Sequence, residues 1–209
     1  LQGEGFLAGV PSVFIRLAGC PLHCKWCDTK YALSESAGED YDITAIVEKV
    51  RQRPCQYVVI TGGEPMVNPK LSGLVQQLKA LNKHTTIETA GIAYVPGLAC
   101  DLMSISPKLS NSTLHKDSRL DITVLRELID NYEYQLKFVV DSQDDLEETQ
   151  QAIKKTGNIE PGKVMLMPQA ASRQEYIEKA PLVAELCKKN GFAFSPRLQI
   201  MLWDNKRGR

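Results

Sequence analysis

Three cysteines fall within the stretch Cys20-Pro-Leu-His-Cys-Lys-Trp-Cys27, at the spacing C-x3-C-x2-C. They follow directly on the apolar run Val13-Phe14-Ile15-Arg16-Leu17. A strand feeding a tight loop of this kind brings three thiols around one inorganic centre. The count is informative. Structural zinc sites and ordinary electron-transfer iron–sulfur clusters usually take four protein ligands. Three cysteines on a four-iron cube leave one iron open to an outside ligand, and an open position is what chemistry needs. Two other readings use the same residues: a zinc knuckle completed by His23 or a distant fourth ligand, and a disulfide cluster.

A chain of 209 residues can bury a substantial core, and barrel-like α/β units of this size are routinely one domain, so a single domain over residues 1–209 is expected. Its 25 basic and 25 acidic side chains cancel. No overall field therefore argues for nucleic acid or a membrane surface. No apolar run approaches the roughly 18–20 residues that a membrane span requires, and no signal peptide is visible. The sequence opens at Leu1 without a methionine, so a short leading segment is expected to precede it. Cys55, Cys100 and Cys187 stand singly and read as buried thiols. Reduced cysteines point to the cytoplasm.

Beyond the cysteines, apolar periodicity alternates between two kinds. Ile43, Ile46, Val47 and Val50 form a helical stripe with Asp42 as its N-cap, and Pro54 closes that helix. Tyr57 to Ile60 reads as a buried strand running into Thr61-Gly62-Gly63-Glu64-Pro65. The rhythm repeats through a helix over Leu71–Leu81, strands at Thr85–Thr89 and Leu102–Ser106, and a helix around Ile122–Ile129. It continues with a strand at Tyr134–Val140 that carries Lys137, a charged and exposed helix at Asp144–Lys155, a strand at Lys163–Met167 and a helix at Tyr176–Lys189. Such alternation predicts a largely parallel sheet. About six strands are too few to close an eight-stranded barrel, so the expected fold is a partial, open TIM-like barrel with a cluster-binding loop after its first strand.

The polar signals collect at strand C-terminal ends: the cysteines, Gly62–Glu64, Thr89–Gly91, Ser106–Lys108, Asp141 and Gln169. Parallel α/β folds place their ligands there. Glycines around Glu4 in Leu1-Gln2-Gly3-Glu4-Gly5 make a loop where backbone can approach a ligand closely. Thr29 suits either a turn or a hard cation such as Mg2+, and the residues alone favour the turn.

The cysteine spacing, with Trp26 before the third thiol, resembles the radical S-adenosylmethionine (SAM) enzymes. Further motifs narrow the resemblance: Leu1-Gln2-Gly3-Glu4-Gly5, Arg16-Leu17-Ala18-Gly19-Cys20, Trp26-Cys27-Asp28-Thr29, Thr61-Gly62-Gly63-Glu64-Pro65, Glu88-Thr89-Ala90-Gly91 and Ser106-Pro107-Lys108. In that order they are similar to the 7-carboxy-7-deazaguanine synthase family of queuosine and deazapurine biosynthesis. The matching motifs run from residue 1 to about 108, with Leu202-Trp203-Asp204-Asn205-Lys206-Arg207-Gly208 also alike. Residues between about 110 and 195 match mostly in their pattern of strands and helices.

The resemblance implies roles residue by residue. Cys20, Cys24 and Cys27 would ligate a [4Fe–4S] cluster whose fourth iron takes SAM. Trp26, Cys27, Asp28, Gly62, Gly63, Glu64, Gly91, Ser106, Pro107, Lys108, Met167, Pro168, Gln169 and Ala170 would hold SAM. Leu1, Gln2, Gly3, Arg16 and Thr89 would hold the substrate, 6-carboxy-5,6,7,8-tetrahydropterin, and Thr29 would ligate Mg2+. Arg16 offers a planar fork suited to a carboxylate. No side chain is expected to do the bond-making, because the cluster and SAM carry it. The implied reaction is a radical ring contraction assisted by Mg2+ with loss of ammonia, giving 7-carboxy-7-deazaguanine. Flavodoxin or ferredoxin would be the electron donor, and a homodimer the implied assembly.

Ala90 departs from the family pattern, which usually carries serine there. Two rival functions use the same cysteines. A glycyl-radical activase, a related radical SAM protein, has the same spacing but acts on another protein, and Leu1–Gly5, Arg16 and Thr89 speak instead for a small carboxylated substrate. A non-catalytic zinc-binding interaction module would leave the strand-end glycine motifs without a job.

Overall fold

The computed structural model describes residues 1–204 and 206, and the expectation for Asn205, Arg207 and Gly208 lies outside the described residues. Its seven strands are β1 (Ser12–Leu17), β2 (Tyr57–Gly62), β3 (His84–Thr89), β4 (Leu102–Ile105), β5 (Tyr134–Val140), β6 (Val164–Pro168) and β7 (Ala193–Phe194). They form one sheet in sequence order, every neighbouring pair parallel. Strands β1 and β7 do not pair, so the barrel is open, as the count of strands predicted. The expectation of about six strands is one short. Two residues, Ala193 and Phe194, carry no periodicity of their own and are strand only because β6 aligns them.

Helices α1 (Ile43–Arg51), α2 (Leu71–Ala80), α4 (Ile122–Asn131), α5 (Gln143–Thr156) and α6 (Arg173–Asn190) intervene between strands. The one-turn α3 (Lys116–Arg119) precedes α4, and α7 (Leu198–Trp203) follows β7. Asp42 stands at the N-cap of α1, yet its side chain makes no capping bond. Ser142 and Asp145 close a reciprocal capping box on α5. Helix α5 is less exposed than its charge suggests, because Asp145, Leu146, Thr149, Ala152 and Thr156 are all buried. Its two threonines tolerate burial by bonding back into their own helix, Thr149 Oγ1 to Asp145 O at 2.8 Å and Thr156 Oγ1 to Ala152 O at 2.9 Å.

Alternation along the strands divides the sheet into two unlike faces. Val58, Ile60, Ile87, Met103, Ile105, Leu136, Phe138, Val140, Val164 and Leu166 join one apolar core with Val75, Leu78, Leu125, Leu128, Leu146 and Leu186 of the helices. Strands buried on both faces usually read as near-continuous apolar runs. Here the other face carries Arg16, Thr61, Glu88, Ser104, Gln135 and Lys137, of which Thr61, Ser104, Gln135 and Lys137 are buried. Buried polar groups on that scale need partners.

The two ends of the chain supply them. Residues 1–10 fold back on themselves, Gln2 N donating to Val10 O and Gly9 N to Gln2 O, both at 2.8 Å. This loop lies against the polar face: Phe6 N donates to Gln135 Oε1 at 2.8 Å, and Gln135 Nε2 donates to Ser104 Oγ at 2.7 Å. The segment after β7 grips it from the other side, with Gly5 N donating to Ser195 Oγ at 3.0 Å and Leu198 N to Gly3 O at 2.9 Å. Among the described residues no helix is long and apolar enough to cross a membrane.

Candidate active site

One cavity of about 550 Å³ opens on the polar face at the strands' C-terminal ends, within the range of small-molecule sites. Cys20, Cys24 and Cys27 all line it. The register sets Leu17 beside Gly62, so the loops leaving β1 and β2 run side by side. Gly63 N donates to Leu17 O at 2.7 Å and Glu64 N to Gly19 O at 2.9 Å. The two glycine-flanked amides are thus spent on the cysteine loop rather than aimed at a ligand. Gly62 has φ +123°, and a Cβ there would meet Leu17 O at 2.1 Å.

All six cysteines are free thiols. Cys187 is buried, while Cys55 and Cys100 are half-buried. Cys20, Cys24 and Cys27 pack with Leu22, Ala90, Ile92 and Leu114 in a small apolar cluster. Burial pushes the Cys20 and Cys24 thiols up, and at Cys24 the Lys108 ammonium works against that rise. Metal binding displaces thiol protons of this kind. Among the described residues no three His, Cys, Asp or Glu side chains converge as the ligands of a single ion must. A four-iron cube takes each thiolate on a different iron and needs no such convergence.

Glu64 is 2 % exposed and accepts three hydrogen bonds. Its donors are Met66 N at 3.1 Å, Thr89 Oγ1 at 2.7 Å and Ala90 N at 2.7 Å. Burial raises the Glu64 carboxyl against those donors. Thr89 also accepts from Gly91 N at 3.0 Å, so its proton is committed to Glu64 and a lone pair is what remains for a ligand. Lys108 is not the solvated strand-end charge that its position suggests. Its ammonium donates to Ser106 O at 2.7 Å and Ser106 Oγ at 3.1 Å, and it lies 5.6 Å from the centre of the Trp26 ring.

A network of buried charges crosses the cavity. Glu4 Oε1 accepts from Gln199 Nε2 at 2.7 Å and from Arg197 Nε at 3.2 Å, while Glu4 Oε2 pairs with Lys137. Arg197 also bonds the Asp28 carboxylate and the Ala170 carbonyl. Burial would raise the Glu4 carboxyl, but the Lys137 and Arg197 charges reverse this and hold it at about 2. Gln2 donates to Glu88 Oε1 at 2.9 Å and accepts from Gly3 N and Glu4 N. Arg16 lies exposed on the cavity wall, 5.9 Å from the Tyr31 ring centre, and among the described residues it makes no salt bridge. Thr29 Oγ1 donates to Asp28 Oδ1 at 2.7 Å.

The family model for the radical SAM superfamily matches residues 14–160. A 7-carboxy-7-deazaguanine synthase of Rhodopirellula baltica is 38 % identical, over 99 % of this chain and 84 % of its own. One from Pyrobaculum aerophilum is 38 % identical, over 100 % of this chain and 93 % of its own. The chain belongs to the 7-carboxy-7-deazaguanine synthase family of radical SAM enzymes. The crystal structure of QueE from Escherichia coli superposes with a TM-score of 0.73 at 27 % identity, covering 93 % of this chain and 88 % of that one. Streptococcus suis SuiB bound to its precursor peptide shares the fold alone, with a TM-score of 0.65 at 14 % identity over 90 % of this chain and 49 % of its own.

Membership in the 7-carboxy-7-deazaguanine synthase family implies a [4Fe–4S] cluster and SAM, and the three thiols facing one cavity suit the cluster. Of the expected site residues, Leu1, Gln2, Gly3, Arg16, Trp26, Asp28, Thr29, Gly62, Gly63, Glu64, Thr89, Ser106, Lys108, Met167 and Gln169 line that cavity with the cysteines. Four others do not line it. Gly91 faces Leu125 and Ile105 beneath α4, Pro107 and Pro168 are buried, and Ala170 gives its carbonyl to Arg197. Ala90 packs its methyl against Leu22 and Cys24. Glu4, Glu88, Lys137, Arg197 and Gln199 line the cavity without having been assigned a role from sequence. For Lys137 a signal existed, a lysine inside a largely apolar strand.

Proposed function

We propose that this chain converts 6-carboxy-5,6,7,8-tetrahydropterin to 7-carboxy-7-deazaguanine as a single catalytic domain, with Mg2+ assisting the ring contraction. The observation that carries the reading is Arg16, a guanidinium exposed in the same cavity as the three cysteine thiols. A planar fork beside a radical-generating centre fits a small carboxylated substrate better than a protein backbone. Gln2, Glu88 and the N-terminal loop offer the donors and acceptors that an aminopterin ring requires.

Cys20, Cys24 and Cys27 would hold the [4Fe–4S] cluster, and Trp26–Asp28, Gly62–Glu64, Ser106, Lys108, Met167 and Gln169 would surround SAM. When bound, cluster and SAM together supply one-electron reductive cleavage and hydrogen-atom abstraction. The chain's own work is to orient and to exclude water. Buried Glu64 fixes the strand-end turn through Thr89 and Ala90, and the loop of residues 1–10 shields the polar face from solvent. Thr29 would present an oxygen to Mg2+. A cytoplasmic homodimer reduced by flavodoxin or ferredoxin completes the reading, in keeping with six free thiols.

The test is one anaerobic reaction with reconstituted protein, SAM, reductant, Mg2+ and the pterin, with products followed by mass spectrometry. Formation of 7-carboxy-7-deazaguanine is expected. SAM cleavage with the pterin left intact would retain the radical chemistry and remove this substrate.

A further inference from the structure

Arg119 lies on α3, away from the cavity, and is 5 % exposed. A guanidinium so buried must be paired, and its partners are specific. Nη2 meets Glu148 Oε1 of α5 at 2.7 Å, and Nη1 donates to the Lys108 carbonyl at 2.8 Å. Nε has no partner among the described residues, so those two bonds fix the orientation. Glu148 uses its second oxygen to accept from Ser110 N at 2.7 Å. Through Glu148, helix α5 thereby holds the segment after β4 directly at Ser110 and, by way of Arg119, at Lys108.

That segment in turn holds the cysteine loop. Asn111 Oδ1 accepts from Trp26 Nε1 at 3.2 Å, while Asn111 Nδ2 donates to Val139 O at 3.0 Å. Lys25 N donates to Ser112 O at 3.1 Å. The Lys108 ammonium lies 5.6 Å from the centre of the Trp26 ring, and Trp26 sits between the second and third thiols of the loop, all of them lining one cavity with Lys108. A cation beside a cluster ligand stabilises the added electron, and its distance decides how strongly.

We propose that Arg119 and Glu148 are positioning residues that hold Lys108 against the cysteine loop at Trp26 and thereby raise the reduction potential of the cluster. The inference rests on the cluster assignment above and not on the pterin. A merely structural ion pair would change stability and leave the potential where it was.

The experiment compares wild type with Glu148→Gln, Lys108→Met and the double variant after anaerobic reconstitution, without pterin. Midpoint potential is read by titration with electron paramagnetic resonance, and iron per chain is measured alongside. Expected are wild-type iron content, a more negative potential in each single variant, and no further fall in the double. A wild-type potential in Glu148→Gln, or additive shifts in the double, would overturn the proposal. Hydrogen–deuterium exchange of the metal-free chain gives an independent reading. In Glu148→Gln, exchange over residues 20–28 and 106–113 should rise several-fold while α2 stays at wild type, and unchanged exchange over 20–28 counts against the proposal. Should Glu148→Gln fail to fold, Arg119→Lys, which keeps the charge but not the fork, answers the same questions.

Discussion

A Cβ placed on Gly63 would lie 1.7 Å from the carbonyl oxygen of Gly19 and 3.1 Å from the amide of Cys20. The glycine of the β2 turn is therefore in backbone contact with the residue that leads into the first cysteine. No flexible side chain is present to yield. Gly63→Ala must push the cysteine loop away from β2, at a cost of about 1–3 kcal/mol by analogy with overpacked cores. The expected outcome is a folded protein of lower melting temperature whose iron content after reconstitution falls well below wild type. Full iron loading in Gly63→Ala would show that the loop has room to move.

Glu4 gives a prediction in pH. Its carboxyl sits at about 2 in the folded protein against an ordinary 4.5, because Lys137 and Arg197 outweigh the effect of burial. A depressed folded value means stabilisation that is complete above the unfolded value and is lost as pH falls toward the folded one. The shift corresponds to about 3 kcal/mol. Glu4→Gln should therefore be less stable than wild type by about that amount at neutral pH. The gap should close between about pH 4.5 and 2, and denaturant melts across that range read it directly. A gap that stays constant with pH would mean that the charge on Glu4 is not what matters.

The same network shows where sequence reading stops. Strand β2 was legible because it is an apolar run ended by turn residues, β5 because Leu136, Phe138, Val139 and Val140 outweigh Gln135 and Lys137, and the cysteine loop because its spacing is local. Glu4 and Arg197 are 193 positions apart, and nothing near either one announces the other. Their pairing exists because both chain ends cover the polar face of an open barrel. Strand β7 was hidden for a related reason, its two residues being strand only by alignment with β6. Lys137 was visible as an oddity in β5, but its meaning depends on Glu4. The exposed reading holds for one side of α5 and misses the other, because Thr149 and Thr156 count as polar until their hydroxyls are seen to bond within the helix.

Glu64→Gln probes the hub between β2 and β3. Both Glu64 oxygens accept, one of them from two donors. An amide replaces one acceptor with a donor, so an N–H must face Ala90 N or the Thr89–Met66 pair. One buried donor then loses its partner, at about 1–3 kcal/mol. Lower stability is expected, with weaker SAM binding and unchanged iron content, since the thiols themselves are untouched. Unaltered SAM affinity would place Glu64 in the fold and not at the cofactor.

Thr29→Ala separates the cation from the loop. The Thr29 hydroxyl makes one hydrogen bond, to its neighbour Asp28, at an exposed position. Asp28 keeps its ion pair with Arg197 whether or not that hydroxyl is present. Removing it should cost the fold little, as surface changes usually stay within about 0.5 kcal/mol. Mg2+ prefers hard oxygen donors and gives up its water reluctantly, so the loss of one oxygen should weaken its hold. The expected result is wild-type iron content and SAM cleavage, with product formation that needs more Mg2+ for half its maximum. Iron lost in parallel with activity would instead make Thr29 a residue of the cysteine loop's structure, and the Mg2+ assignment would fall.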